Sequence, residues 1–293
     1  YIPITEESLP NHLNSARNAL LAQIAGSGNA NFVSGKMMFL QGSPSLEETK
    51  GGVKLGRLSG IVAHHVPSYL MRNRLPSMEA NSIEDWEKKV DAIVKETADQ
   101  DLRLISGIPT WVQMYFEKLL KHTKAETVLD VFPNLSLFVH GGASYAPYAE
   151  RFKQLIGDDI ARVELYPASE GFLAYQDKPG VEGMRLNIAD GIFFEFIPAD
   201  KFGEKDAPCF TVDQVEMGVN YAVVITTKAG LYRYAIGDTV KFVCDSPYRV
   251  IVSGRTKHFI SAFGEHVIGE EVESSIAEVS EKHNAVVRDC LLY

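Results

Sequence analysis

The sequence predicts an α/β protein in which a parallel βαβ sheet is followed by an antiparallel, barrel-like subdomain. Three observations carry this. Residues 102–166 alternate strand, helix, strand, helix, strand, the pattern of a parallel sheet with crossover helices. After residue 180 the chain is strand-rich and broken by turns, as in antiparallel sheets. From Glu265 to His283 an amphipathic helical pattern follows, with the sheet-like "AVVRDCLLY" after it, which predicts the start of a small α+β domain. The expected division is a large domain over 1–256, then a hinge and the beginning of a small domain over 257–293.

The elements follow in order. Leu9, Leu13, Ala16, Leu20, Leu21 and Ile24 recur near the helical period, with Thr5 placed as an N-cap. "KMMFLQG" (36–42) predicts a short buried strand, and the Ser-, Pro-, Glu- and Gly-rich residues 43–56 a loop. A helix is expected within 60–75. Ser82 with Asp85 reads as a capping box ahead of Trp86, Val90, Ile93 and Val94. "LRLISG" leads to Pro109, well placed in the first turn of "PTWVQMYFEKLLKHT". "LSLFVHGG" (135–142) and "ARVELY" are strands around the helix "YAPYAERFKQLIG". "GIFFEFIP", "YAVVITT", "TVKFV" and "RVIVSG" make the later strands.

The chain has 293 residues, enough to bury a substantial core, and 45% of them are hydrophobic. Its net charge of −9 argues against nucleic-acid partners and against an anionic membrane surface. Three widely spaced cysteines without a CxxC predict a reducing, cytoplasmic setting rather than a disulfide framework. "YIPITEESLP" is no signal peptide and lacks an initiator Met, which predicts a piece of a longer protein.

In parallel sheets, ligands bind beyond the carboxyl ends of the strands. "FVHGGAS" and "ELYPASEG" end consecutive predicted strands and place Gly141, Gly142, Tyr166, Ser169 and Glu170 along one rim. Paired glycines admit a flat ring close to the backbone. Tyr166 offers a stacking surface, small residues around Ser169 leave room for a phosphate, and Glu170 suits a magnesium ion. Singly, each feature is better explained by a turn, a core aromatic or a solvated carboxylate; their shared location is what favours a nucleotide site. Gly237-Asp238 in "YRYAIGDTV" reads either as a hairpin corner or as a carboxylate for ribose hydroxyls. Arg255 and Lys257 in "SGRTKHF" read as phosphate-neutralising cations or as a charged linker. His140 reads equally as a pocket residue or a satisfied strand-end histidine. A Ser-Gly-Lys at 34–36 lacks the first glycine of a P-loop, and adjacent His64 and His65 face different ways on a helix.

Taken together, "FVHGGASYAPY", "ELYPASEGF", "LYRYAIGDTV" and "SGRTKHFISAFGEHV" resemble the Gretchen Hagen acyl-acid amido synthetase family, in its bacterial branch. The resemblance covers nearly the whole chain and implies the acyl-adenylate-forming, luciferase-like fold. It implies ATP-dependent adenylation of a carboxylic acid, then acyl transfer to an amino acid amine with release of AMP. It implies ATP and Mg²⁺ as cofactors, small carboxylic and amino acids as partners, and a monomer. Gly141, Gly142 and Ala143 would lie along the adenine, with Tyr166 packed on the base. Asp238 would hold the ribose, and Ala168 would complete the nucleotide contacts. Ser169 would touch the α-phosphate, Glu170 would bind Mg²⁺, Arg255 would sit near ribose or phosphates, and Lys257 near the hinge. Ser169, Glu170, Arg255 and Lys257 form the expected catalytic group. The family's phosphate loop would precede Tyr1 and most of its mobile C-terminal domain would follow Tyr293, so this stretch alone is expected to be inactive. The alternatives are thioester formation with coenzyme A on the same fold, and a nucleotide-binding relative without catalysis.

Overall fold

The computed structural model describes residues 1–66, 71–256, 260–262, 265–267, 279 and 282. It separates into two compact units: residues 27–163, and residues 1–26 with 164–293.

Within 27–163, the strands β1 (Lys36–Phe39), β4 (Arg74–Leu75), β5 (Leu102–Ser106) and β6 (Leu137–Gly141) run in the order β6-β5-β1-β4. Every adjacent pair is parallel. Between β1 and β4 lie β2 (Glu47–Glu48), β3 (Lys54–Leu55) and the helix α2 (Leu58–Ala63). β2 and β3 pair antiparallel inside the stretch expected to be a plain loop. α3 (Met78–Asn81), α4 (Trp86–Thr97), α5 (Pro109–Thr123), α6 (Val128–Val131) and α7 (Ala149–Ile156) complete the unit. Its core joins Val90, Ile93, Val112, Phe116, Phe138 and Phe152, with the Phe138 and Phe152 rings stacked at 5.1 Å. Tyr115 is fully buried among them, and its hydroxyl meets Thr97 Oγ1 at 2.7 Å.

The local signals explain these boundaries. α5 spans the predicted residues, opened by Pro109 at a position that needs no N–H and closed by Lys124 in the left-handed region at φ 59°. The predicted Ser82 capping box is corrected. Asp85 is the N-cap of α4 and accepts from Lys88 N at 2.9 Å, whereas Ser82 closes α3 and its hydroxyl donates to Met78 O at 2.7 Å. The short α3 turn takes up the serine, leaving the aspartate at the first free N–H groups of α4.

In the other unit, β7 (Ala161–Ala168), β8 (Gly171–Tyr175), β9 (Met184–Leu186), β10 (Ile192–Pro198), β11 (Asn220–Thr227), β12 (Tyr234–Asp245) and β13 (Tyr248–Arg255) run in the order β10-β11-β12-β13-β9-β8-β7. All six pairings are antiparallel. Phe194, Phe196, Tyr221 and Phe242 fill its core; Phe196 and Phe242 meet edge-on at 4.9 Å. The later strands therefore follow the predicted antiparallel reading.

α1 (Leu9–Ser27) forms where predicted, behind a turn in which Thr5 Oγ1 accepts from Ser8 N at 3.2 Å. Its buried face differs from the apolar stripe: Asn11, His12, Ser15, Ala19 and Gln23 are buried, while Leu21 is exposed. A second correction concerns the tail. Glu265–Val267 is not the first turn of a helix but strand β15, paired antiparallel with β14 (Ile260–Ala262). Pairing with Ile260–Ala262 holds these residues extended where their local pattern reads as helical. The remainder of the predicted helix and the "AVVRDCLLY" strand lie outside the described residues, apart from Val279 and Lys282, which are helical.

Replacing Asp85 by Ala is expected to cost about 1 kcal/mol of unfolding free energy in urea, and Ser82→Ala clearly less. Equal losses in both variants would restore the serine as the cap.

Candidate functional site

In the unit built from 1–26 and 164–293, β7 ends on Tyr166, Pro167 and Ala168. The ladder to β8 shifts register between Tyr166 and Pro167, then closes on Ala168 opposite Gly171. Proline has no N–H to give to a ladder, which suits it to this bulge. Ser169 and Glu170 are left as the two-residue tip, the serine exposed and the glutamate half-buried. Among the described residues neither side chain has a hydrogen-bond or ion-pair partner.

A second irregularity aims Asp238. Ala222 of β11 faces Thr239 of β12, yet Val224 faces Ala235, so Ile236–Asp238 bulge out of the ladder. Gly237 sits at φ 88°, a conformation that costs glycine little. Its carbonyl accepts from Thr256 N at 2.8 Å, which ties the bulge to the end of β13. Asp238, now 9% exposed, accepts from Tyr166 Oη at 2.8 Å through Oδ2 and from Arg255 Nε at 3.0 Å through Oδ1. Arg255 is largely exposed, so the ion pair itself adds little stability.

Tyr166 is buried in the core of this unit, with its hydroxyl rather than an open ring face offered to the site. Burial first, then the Asp238 carboxylate, hold its hydroxyl well above the usual tyrosine range. It therefore remains a proton donor to Asp238 at any physiological pH. A carboxylate has about four lone-pair sites; Tyr166 and Arg255 take two, and two remain for further donors such as a sugar diol.

Behind the hairpin tip lies a small pocket lined by Glu7, His12, Glu170, Asp190, Thr227 and Lys228. His12 Nδ1 and Thr227 Oγ1 are buried there without partners. The residues fit a hard cation only as Mg²⁺ is usually held, by one or two carboxylates with phosphate oxygens and water. Glu170 supplies one free carboxylate, and no cluster of three His, Cys, Asp or Glu ligands exists among the described residues.

In the unit 27–163, Gly141 ends β6, and Gly142 turns the chain at φ 79° before Ala143. His140, at the end of β6, is buried with Nδ1 unpartnered, stacks on Tyr145 at 5.1 Å, and is pushed down to about 4 by burial and then by the Arg162 charge. Arg162 covers the Tyr145 ring at 4.7 Å. The structure thus brings Tyr166, Asp238 and Arg255 together, sets Ala168 beside the Ser169–Glu170 tip, and describes Gly141–Ala143 in the other unit. Lys257 lies outside the described residues. The polar face of α1 escaped the sequence reading; its signal was the four-residue spacing of Asn11, Ser15, Ala19 and Gln23.

Burial lowers His12 from 6.5 to about 4. The unfolded chain then binds a proton that the folded protein refuses, so stability present above pH 6.5 is lost as the pH falls towards 4. At 1.36 kcal/mol per unit this amounts to roughly 3 kcal/mol. His12→Gln is expected to flatten the unfolding free energy over that interval relative to the unsubstituted protein, while His140 keeps its own share of the slope. An unchanged slope would place the charged imidazole in contact with solvent.

The chain matches the GH3 family N-terminal domain over residues 58–160 and the GH3 family central domain over 186–251. Among curated relatives it is 33% identical over 178 residues to a jasmonoyl–L-amino acid synthetase of Oryza sativa subsp. japonica, covering 55% of this chain and 28% of that protein. It is 30% identical over 118 residues to a jasmonoyl–L-amino acid synthetase of Nicotiana attenuata, covering 38% and 20%. It is 30% identical over 129 residues to an indole-3-acetic acid-amido synthetase of Arabidopsis thaliana, covering 39% and 23%. These matches span less than a third of each relative's length. Because the relatives are plant proteins, the expected bacterial branch is corrected. Among solved structures, a GH3.15 acyl acid amido synthetase superposes with TM-score 0.73 at 13% identity over 98% of this chain and 61% of that one. A 2-hydroxyisobutyryl-CoA ligase does so with TM-score 0.55 at 15% identity over 90% and 53%. Identities this low bear on the fold alone, and the fold is the acyl-adenylate-forming, luciferase-like one that the motifs implied. With two successive domain models of one family matched over more than half of its residues, the chain belongs to the GH3 family.

Proposed function

We propose that the full-length protein uses ATP to adenylate a carboxylic acid and then transfers the acyl group to the amine of an amino acid. The observation that carries this reading is the convergence of Tyr166, Asp238 and Arg255 within a unit that also presents Glu170 at an unencumbered hairpin tip. In the first step a substrate carboxylate oxygen bonds to the α-phosphorus of ATP, and the bond from that phosphorus to the bridging oxygen breaks to release pyrophosphate. In the second the amine nitrogen bonds to the acyl carbon, loses a proton, and AMP departs with the acyl oxygen it was bonded through. Neither step asks for a covalent protein intermediate. Positioning and charge stabilisation at phosphorus supply the catalysis.

The chain's own residues divide this work. Asp238, held by Tyr166, offers its two remaining lone-pair sites to the ribose hydroxyls. Arg255, exposed beyond the carboxylate, reaches ribose or phosphate oxygens. Ser169 donates its hydroxyl to the α-phosphate, with Ala168 leaving room beside it, and Glu170 would hold Mg²⁺, which would supply neutralising charge at the phosphate oxygens. By the family resemblance alone, Gly141, Gly142 and Ala143 would be assigned to the adenine and Lys257 to the hinge. The names of the plant relatives, jasmonoyl–L-amino acid synthetase and indole-3-acetic acid-amido synthetase, favour an amide product formed from a carboxylic acid and an amino acid. The net charge of −9 and the cysteine usage fit a cytoplasmic protein acting on small molecules; among the described residues no helix is long and apolar enough to cross a membrane.

A screen of carboxylic acids for ATP–pyrophosphate exchange by the full-length protein tests the first half-reaction, and product analysis with amino acids or coenzyme A tests the second. Tight ATP binding without exchange for any acid would favour a nucleotide-binding protein, and a thioester without an amide would favour a coenzyme A ligase. With an active acid, Glu170→Ala and Asp238→Ala are each expected to lower exchange by about a hundredfold while the protein remains folded. Unchanged kinetics in both would remove the assigned site.

A further inference from the structure

α1 meets the hairpin with side-chain amides rather than an apolar stripe. Asn11 takes both main-chain groups of Phe172: Phe172 N donates to Oδ1 at 2.7 Å, and Nδ2 donates to Phe172 O at 3.3 Å. Asn187 Nδ2 donates to the same carbonyl at 2.9 Å and to Ser15 Oγ at 3.0 Å. Ser15, fully buried, donates in turn to Asp190 Oδ2 at 3.4 Å. Both asparagines are 8% exposed.

The reason for this arrangement lies in the ladder. β8 pairs with β9 at Ala174–Leu186 and Tyr175–Arg185, and one further main-chain bond runs from Asn187 N to Leu173 O at 2.8 Å. Phe172 lies one residue past that bond, and opposite it on β7 stands Pro167, which has no N–H to give. Two carboxamides supply the partners that its buried main-chain groups need. Phe172 follows Glu170 by two residues and pairs with Pro167 across the bulge, so whatever holds Phe172 holds the closing end of the Ser169–Glu170 turn. The tip side chains themselves have no partner among the described residues to fix them.

We propose that Asn11 and Asn187 are positioning residues that hold Glu170 in place for a divalent cation by clamping the main chain of Phe172. This rests on the reading of Glu170 as the Mg²⁺ residue of an ATP site. The test is calorimetric ATP binding to the full-length protein with and without Mg²⁺, in the unsubstituted form and in Asn11→Ala, with thermal melting to establish that the variant is folded. The expected result is that the factor by which Mg²⁺ tightens ATP binding falls at least fivefold in Asn11→Ala, while metal-free ATP binding changes less than twofold. A role confined to the fold would lower the melting temperature and leave that factor unchanged, which would overturn the inference. If Asn11→Ala does not fold, Asn187→Ala, which keeps the Asn11 pair with Phe172, carries the same measurement. Failure of both to fold would assign the asparagines to the fold and overturn the proposal. An unsubstituted protein that does not bind ATP would overturn the functional reading and this inference with it, whereas ATP binding with an unchanged Mg²⁺ factor overturns the inference alone.

Discussion

A phenol hydroxyl and a carboxylate, 2.8 Å apart, close the antiparallel unit on itself. Tyr166 stands on β7 and Asp238 on β12, with β13, β9 and β8 between them in the strand order. Four strand spacings in a flat sheet come to about 19 Å, beyond the combined reach of the two side chains. The ladder must curl for the bond to form. The register breaks that allow curling include those at Tyr166–Pro167 in β7 and at Ile236–Asp238 in β12, with two more where β12 pairs with β13. Bulges bend a strand and re-aim its side chains. Two of the irregularities that shape the sheet also gather the candidate site.

Electrostatics then decides how each group is held. Tyr166 is buried and stays protonated, so it donates to Asp238 without competing for its charge. Arg255 approaches from the exposed side. The carboxylate is left with one buried neighbour and one exposed one. His12 and His140 show the complementary behaviour, each buried deeply enough to be kept neutral near pH 7.

α1 links the two themes. Its four-residue spacing of Asn11, Ser15, Ala19 and Gln23 puts small and polar side chains on the buried face. A helix normally buries apolar area; this one also satisfies both main-chain groups of Phe172. Buried polar networks of this kind specify a single arrangement because a shifted register would strand several donors at once. The helix therefore fixes the hairpin in place rather than merely covering it.

Much of this was legible in the residues. Local signals determined α5, with Pro109 at its start, and the alternation at 102–166 and the strand runs after 191, because helical period, strand period and turn chemistry act over a few neighbours. The motifs around Glu170 and Asp238 marked the family for the same reason: each is short and contiguous. Other features were settled only in three dimensions. Asp85 displaced Ser82 as the cap because a short helix intervened, and Glu265–Val267 became a strand because Ile260–Ala262 was available to pair with it. The buried face of α1 depended on which main-chain groups lay opposite. The bond from Tyr166 to Asp238 joins residues 72 positions apart. Sequence alone determined which segments are helix or strand and which carry site-like chemistry; tertiary structure decided which face is buried and which carboxylate meets which hydroxyl, since those choices depend on partners that approach only when the sheet curls.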